Sequence, residues 1–117
     1  GSIDKPDEIQ ALLEKTKQEG DSVGGVVEFT MLGVPAGLGD PVYEKLEAKL
    51  AFAMMSLPAS KGFEIGSGFK GATMKGSEHN DSFIQAGGQV ATETNHAGGV
   101  LGGISTGMPI VGRVAFK

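Results

Sequence analysis

The stretch from Gly98 to Lys117, GGVLGGISTGMPIVGRVAFK, decides the fold expected for this chain. Its first half holds five glycines, at positions 98, 99, 102, 103 and 107. Glycine adopts positive φ angles readily and lets the backbone come close to another surface. After Pro109 the sequence becomes an apolar run, residues 110–117, that is typical of a strand. The stretch therefore predicts a glycine-rich loop held by a strand, either as a plain turn or as a loop that faces a ligand.

The composition indicates one domain, spanning residues 1–117, in which Gly1-Ser2 is typical of a cloning scar. The net charge is −4, and Arg113 is the single arginine, so nucleic-acid binding is not expected. The absence of cysteine excludes a disulfide scaffold and fits a reducing compartment. No apolar run of membrane-spanning length and no signal-peptide pattern occurs, so we expect a cytoplasmic protein without membrane contact.

Two amphipathic helices are predicted, over residues 4–19 and 42–57. In the first, Asp4 is the expected cap, Pro6 suits the first turn, and Ile9, Leu12, Leu13 and Thr16 form the apolar face. Asp40-Pro41 is the start signal of the second helix and Pro58 its stop. The second helix has the wider apolar face, which predicts that it is the more buried of the two.

Period-two alternation predicts strands over residues 23–32, 62–69 and 110–117, and a hairpin over 83–93 that turns at Gly87-Gly88. Helices and strands then follow each other in an order typical of an α+β fold. We expect a two-layer sandwich, in which a mostly antiparallel sheet carries two main helices on one face.

Few residues in the chain could carry chemistry. His79 and His96 are the only imidazoles, and without a close His pair or an HExxH motif no metal site is expected. Residues 78–81, Glu-His-Asn-Asp, could form an acid–base cluster, but such loops more often cap helices or hydrogen-bond turns. The backbone N–H groups of residues 98–107 could cradle a phosphate, although no dinucleotide or P-loop motif accompanies them. These residues alone indicate no reaction.

Four motifs carry a resemblance to a known family: PAGLGDP (35–41), KGFEIGSGF (61–69), GSEHND (76–81) and GGVLGGISTGMPI (98–110). Each motif alone is a weak indicator of a family, but the four motifs together are highly specific. From about residue 24 to residue 117 the chain resembles the middle section of chorismate synthase.

The resemblance implies a lyase of the shikimate pathway, which leads to aromatic amino acids. Such an enzyme converts 5-enolpyruvylshikimate 3-phosphate to chorismate and phosphate by a 1,4-elimination that needs reduced FMN. The family fold is a pseudo-symmetric sandwich of helices between two antiparallel sheets, assembled as a homotetramer. This chain would be one portion of that sandwich.

The resemblance also implies cofactor-contacting positions. Gly102 matches a flavin-contacting glycine, and Lys117 opens the flavin-phosphate loop. Pro58 and Ala59 match a pair that is often Asn-Ala or Asn-Gly, and because Pro58 departs from the Asn, only the backbone contact of Ala59 is expected to persist.

No catalytic residue is assigned, because the family's catalytic histidines and aspartate match nothing in these 117 residues. The isolated chain is therefore expected to be inactive and not to retain FMN. The alternative hypothesis is a non-catalytic α+β binding or assembly module.

Overall fold

The computed structural model describes residues 5–117, so Gly1-Ser2 and the predicted cap Asp4 lie outside the described residues. The elements are, in chain order, α1 (Pro6–Gln18), β1 (Gly25–Met31), α2 (Leu46–Met55), β2 (Ser60–Ile65), a 3-10 helix (Gly68–Thr73), α3 (Gly76–His79), β3 (Phe83–Ala86), β4 (Gln89–Thr92), β5 (Val100–Leu101), β6 (Ile104–Ser105) and β7 (Ile110–Phe116). This order confirms the predicted α+β class with antiparallel strands and two main helices, α1 and α2.

Strand β7 is the centre of the main sheet and pairs antiparallel with β1 on one side and β2 on the other. Its side chains alternate between the two faces, and Ile110 and Val114 share one face with 1% and 3% of their surface exposed. The alternation predicted for the last strand is confirmed, because every second position from Ile110 to Val114 is buried.

Gly112 sits in the middle of β7, opposite Phe29 of β1 and Ile65 of β2. A Cβ atom at this position would lie 2.6 Å from the Phe29 ring. Because the glycine leaves this space free, the Phe29 ring stacks with that of Phe63 in β2, at a centroid distance of 6.3 Å. The rings of Phe29 and Phe63 thus connect the two outer strands, β1 and β2, across the central strand β7.

Two predicted boundaries are wrong by more than two residues. Strand β2 ends at Ile65 and not at residue 69, because Gly66 and Gly68, at φ 59° and 54°, turn the chain into the 3-10 helix. Helix α2 begins at Leu46 and not at residue 42. Its first N–H, that of Leu46, donates to the Gly103 carbonyl at 2.8 Å, so the glycine-rich loop fixes the start of the helix.

The two main helices differ in how they are covered. Helix α2 contacts β2, although none of its residues is fully buried and the Phe52 side chain is exposed. Helix α1 buries only Thr16, and its predicted apolar face remains largely exposed. Within residues 5–117 no helix is both long and apolar enough to cross a membrane.

Two small hairpins complete the structure. The predicted hairpin is confirmed as β3 and β4, joined at Gly87-Gly88 with φ 60° and 79°. The glycine-rich stretch forms a second one, β5 and β6, which turns at Gly102-Gly103 with φ 58° and 86°. Two-residue hairpin turns favour positive φ at both central residues, because the twist of such a turn matches that of the strands. The turn geometry therefore explains why each hairpin has a pair of glycines at its tip.

Candidate cofactor site

A cavity of about 560 Å³ lies beside the end of β2 and the β5–β6 hairpin. Its apolar lining includes Phe63, Ile65, Phe69, Val100 and Leu101. Its polar lining comes from Glu64, Ser67, His79 and His96. A cavity of this size, mainly apolar with a few polar groups, is typical of a small-molecule site.

Gly102 lies at the rim of this cavity, at the tip of the β5–β6 hairpin. A Cβ atom built there would have no neighbour within 4 Å, so its backbone borders open space. The position therefore allows a ligand to come close to the main chain. Its role as a flavin contact stays a prediction.

The other predicted cofactor residues lie where β2 begins and β7 ends. The Ala59 carbonyl accepts a hydrogen bond from the Lys117 N–H at 3.0 Å. Pro58 precedes Ala59 in the exposed turn after α2. The structure therefore brings Pro58, Ala59 and Lys117 together, and their role as cofactor contacts stays a prediction.

Gly102 lies apart from this group. Leu46, at the start of α2, binds Gly103, whereas Ala59 follows the other end of the same helix. A helix of ten residues is about 15 Å long. A ligand that contacts both Gly102 and Ala59 must therefore be extended.

The structure also brings together residues that the sequence analysis did not connect. The Ser67 hydroxyl lies 2.6 Å from Nε2 of His79, and Nδ1 of His96 lies 3.0 Å from the His79 carbonyl oxygen. The two imidazole rings are 5.6 Å apart between centroids. The signal that could have found Ser67 is its place between two glycines directly after a strand, which is typical of a tight turn.

The carboxylates of the polar loop, residues 78–81, accept hydrogen bonds from nearby backbone and side-chain groups. The Glu78 carboxylate accepts the Lys75 N–H at 3.0 Å and caps α3. The Asp81 carboxylate accepts hydrogen bonds from the Thr94 hydroxyl and from the N–H groups of His96 and Ala97, at 2.6 to 2.9 Å. Burial acts to raise the pKa of Asp81, but these hydrogen bonds outweigh it and the pKa lies below its ordinary value. The favoured interpretation, a loop that caps a helix and hydrogen-bonds a turn, is thus confirmed for these two carboxylates.

Arg113 is held in an ion pair on the face of the sheet opposite Ile110 and Val114. Its Nε donates to the Glu64 carboxylate at 2.8 Å, and its Nη2 donates to the Gly66 carbonyl. The hydrogen bond from Arg113, followed by that from the Phe69 N–H, holds the pKa of Glu64 below its ordinary value. The guanidinium is therefore already neutralised within the chain.

The described residues hold no candidate metal centre. Between residues 5 and 117, no group of three or more His, Asp or Glu side chains converges closely enough to bind an ion.

Comparison with known proteins gives this arrangement its context. The family model described as chorismate synthase matches residues 2–117. The chain belongs to the chorismate synthase family. The chorismate synthase of Opitutus terrae is 63% identical over 110 residues, which are 92% of this chain and 30% of that protein. The chorismate synthase of Protochlamydia amoebophila is 60% identical over 111 residues, 95% of this chain and again 30% of the relative.

A solved structure agrees with the fold. The crystal structure of a chorismate synthase superimposes with a TM-score of 0.90 at 41% identity, covering 95% of this chain and 34% of that one. The chain thus spans about 30% of the length of the curated relatives it matches.

Proposed function

We propose that this chain forms part of the flavin site of a chorismate synthase. The whole enzyme would convert 5-enolpyruvylshikimate 3-phosphate to chorismate and phosphate by a 1,4-elimination in the cytoplasm. The observation that carries the proposal is the place of Gly102, which matches a flavin-contacting position of the family and lies at the rim of the cavity of about 560 Å³.

The residues of the cavity fit a flavin ring. Phe63 and Leu101 would offer apolar surface to such a ring. Gly102 has open space where a side chain would be, so its backbone can approach the ring edge. Near Ala59, the exposed Lys117 offers a cationic group to a flavin phosphate.

When bound, reduced FMN supplies electron density that helps the phosphate group of the substrate to leave. The task of this chain would be to orient the cofactor and to exclude water from it. The substrate carries three anionic groups, two carboxylates and a phosphate, and its phosphate needs several cationic partners. Arg113 is not free for this role, because it is held by Glu64. We therefore propose that the isolated chain is inactive, and that the enzyme works as a homotetramer of longer chains.

An NMR titration tests the proposal on the chain itself. FMN is added at millimolar concentration to the ¹⁵N-labelled protein, which at 12.0 kDa is well suited to amide spectra. We expect weak binding, with shift changes at Gly102 and its neighbours, and no turnover. Unchanged amides around the cavity would contradict the flavin site, and turnover by the chain would contradict its inactivity.

The β3–β4 hairpin, which turns at Gly87-Gly88, offers a matched control. Gly102 and Gly88 both have positive φ and open space at the Cβ position, so alanine costs the backbone a similar amount at each. Of these two glycines, Gly102 lines the cavity and Gly88 does not. We expect Gly102→Ala to weaken FMN binding about tenfold, the equivalent of about 1.4 kcal/mol, and Gly88→Ala to leave it unchanged.

A further inference from the structure

Two imidazole rings line the proposed flavin cavity, and the protein holds each by one nitrogen. His79 is held through Nε2 by the Ser67 hydroxyl, and His96 through Nδ1 by the His79 carbonyl. The second nitrogen of each ring has no hydrogen-bond partner among residues 5–117, and neither is fully buried. Each ring therefore keeps one nitrogen for a ligand.

The hydrogen bonds also define what each nitrogen offers. A carbonyl oxygen only accepts, so His96 donates from Nδ1 to His79, and Nε2 of the neutral His96 ring is an acceptor. The Ser67 hydroxyl has no other acceptor within the described residues, and we assign it as the donor to Nε2 of His79. The neutral His79 ring then carries its proton on Nδ1, which is a donor.

The surroundings keep this arrangement rigid. A Cβ atom at Gly71 would lie 2.6 Å from the Ser67 hydroxyl and 3.0 Å from Nε2 of His79. The His96 backbone is fixed by Asp81, which accepts its N–H at 2.8 Å. Groups held in place before binding lose less entropy when a ligand arrives. The pair thus has the features of a built recognition site.

We propose that His79 and His96 bind the polar edge of the flavin ring, His79 by donating to a ring carbonyl and His96 by accepting from the ring N3–H. Ser67 is a positioning residue that acts through His79. This inference rests on the proposed flavin site and assigns it a ring-orienting pair. One donor and one acceptor on two rings whose centroids are 5.6 Å apart would complement the carbonyl and imide N–H that adjoin in a flavin.

Lumiflavin, which is the flavin ring without the ribityl phosphate chain, is the probe that tests this pair. Its dissociation constant is measured by amide shifts for the unaltered chain, Ser67→Ala, His79→Phe and Ser77→Ala. Each lost hydrogen bond should weaken binding about five- to tenfold. Ser77→Ala is the matched control, because Ser77 is exposed and two residues from His79. We expect it to bind lumiflavin like the unaltered chain.

A modified ligand keeps the test independent of folding. 3-Methyllumiflavin lacks the N3–H, and it should bind the unaltered chain about five- to tenfold more weakly than lumiflavin does. Equal affinities for the two flavins, together with an unchanged affinity in Ser67→Ala, would overturn the histidine assignment and leave the flavin site standing. A lack of any flavin-induced shift at the cavity would overturn the site and the assignment together.

Discussion

Strand β7 and helix α1 have equally clear sequence patterns, but the structure uses them differently. In β7, Ile110 and Val114 are almost completely buried, whereas in α1 the apolar Leu12 and Leu13 are 50% and 48% exposed. The strand has a hydrogen-bonded neighbour on each side. The helix makes only slight contact with the other described elements. A periodic pattern thus predicts an element well, but burial depends on the surfaces that the rest of the fold brings to it.

The stability of the chain should therefore be concentrated around β7 and the turns packed on it. Substitutions in this region should cost several times more free energy of unfolding than substitutions of similar size in α1. Four predictions test this contrast, and urea unfolding followed by circular dichroism measures each of them.

The largest effect is expected at Gly98, which packs against the backbone next to β7. With φ 69° it is in the left-handed region, and a Cβ atom there would overlap the Gly66 backbone. Since backbone cannot move away cheaply, Gly98→Ala should lower the free energy of unfolding by about 3–5 kcal/mol. Gly88→Ala, at φ 79° with open space at the Cβ position, is the control; it should cost about 1 kcal/mol. Similar losses for both would show that the close packing at Gly98 is not important for stability.

A core truncation should come next. Ile110 is 1% exposed, and removing most of its side chain leaves a cavity that the sheet cannot close easily. Ile110→Ala should cost about 3 kcal/mol. A loss below about 1 kcal/mol would contradict the role of β7 as the centre of the core.

The ion pair across β2 and β7 should have a smaller, pH-dependent effect. The pKa of Glu64 is lowered from 4.5, first by the Arg113 hydrogen bond. Because the folded-state pKa lies below the unfolded one, its stabilisation is present above pH 4.5 and is lost as the pH falls through the folded pKa. Glu64→Gln should cost about 1 kcal/mol at pH 7 and reduce the loss of stability in acid.

Glu28 supplies the control for this ion pair. It lies opposite Arg113 on the other side of β7 but makes no ion pair with it. Glu28→Gln should therefore change stability at pH 7 by less than Glu64→Gln does. An equal acid dependence for Glu64→Gln and the unaltered chain would show that the Arg113 pair contributes nothing to folding.

The sequence predicted elements better than it predicted contacts between them. The hairpin at Gly87-Gly88 and strand β7 were predictable because their signals are local: turn glycines in one case and alternation in the other. The start of α2 could not be predicted from local signals, because it depends on a hydrogen bond from the Leu46 N–H to the carbonyl of the distant Gly103.

The contacts within the candidate site were also less predictable than its individual residues. Gly102 could be assigned from a shared motif, but the pairing of Ser67 with His79 depends on the turn at Gly66 and on the space left by Gly71. Such contacts join residues that are far apart in the sequence, and no local pattern records them.

The smallest effect is expected in α1. Leu12→Ala removes a side chain that is already half exposed, and alanine favours the helix, so the free energy of unfolding should change by less than about 0.5 kcal/mol. Leu12→Ala and Ile110→Ala remove similar amounts of apolar surface, so their difference isolates the effect of burial. A loss from Leu12→Ala as large as that from Ile110→Ala would mean that α1 is covered in solution. If that loss also grew with protein concentration, the cover would be a second copy of the chain, because association stabilises the folded state by mass action.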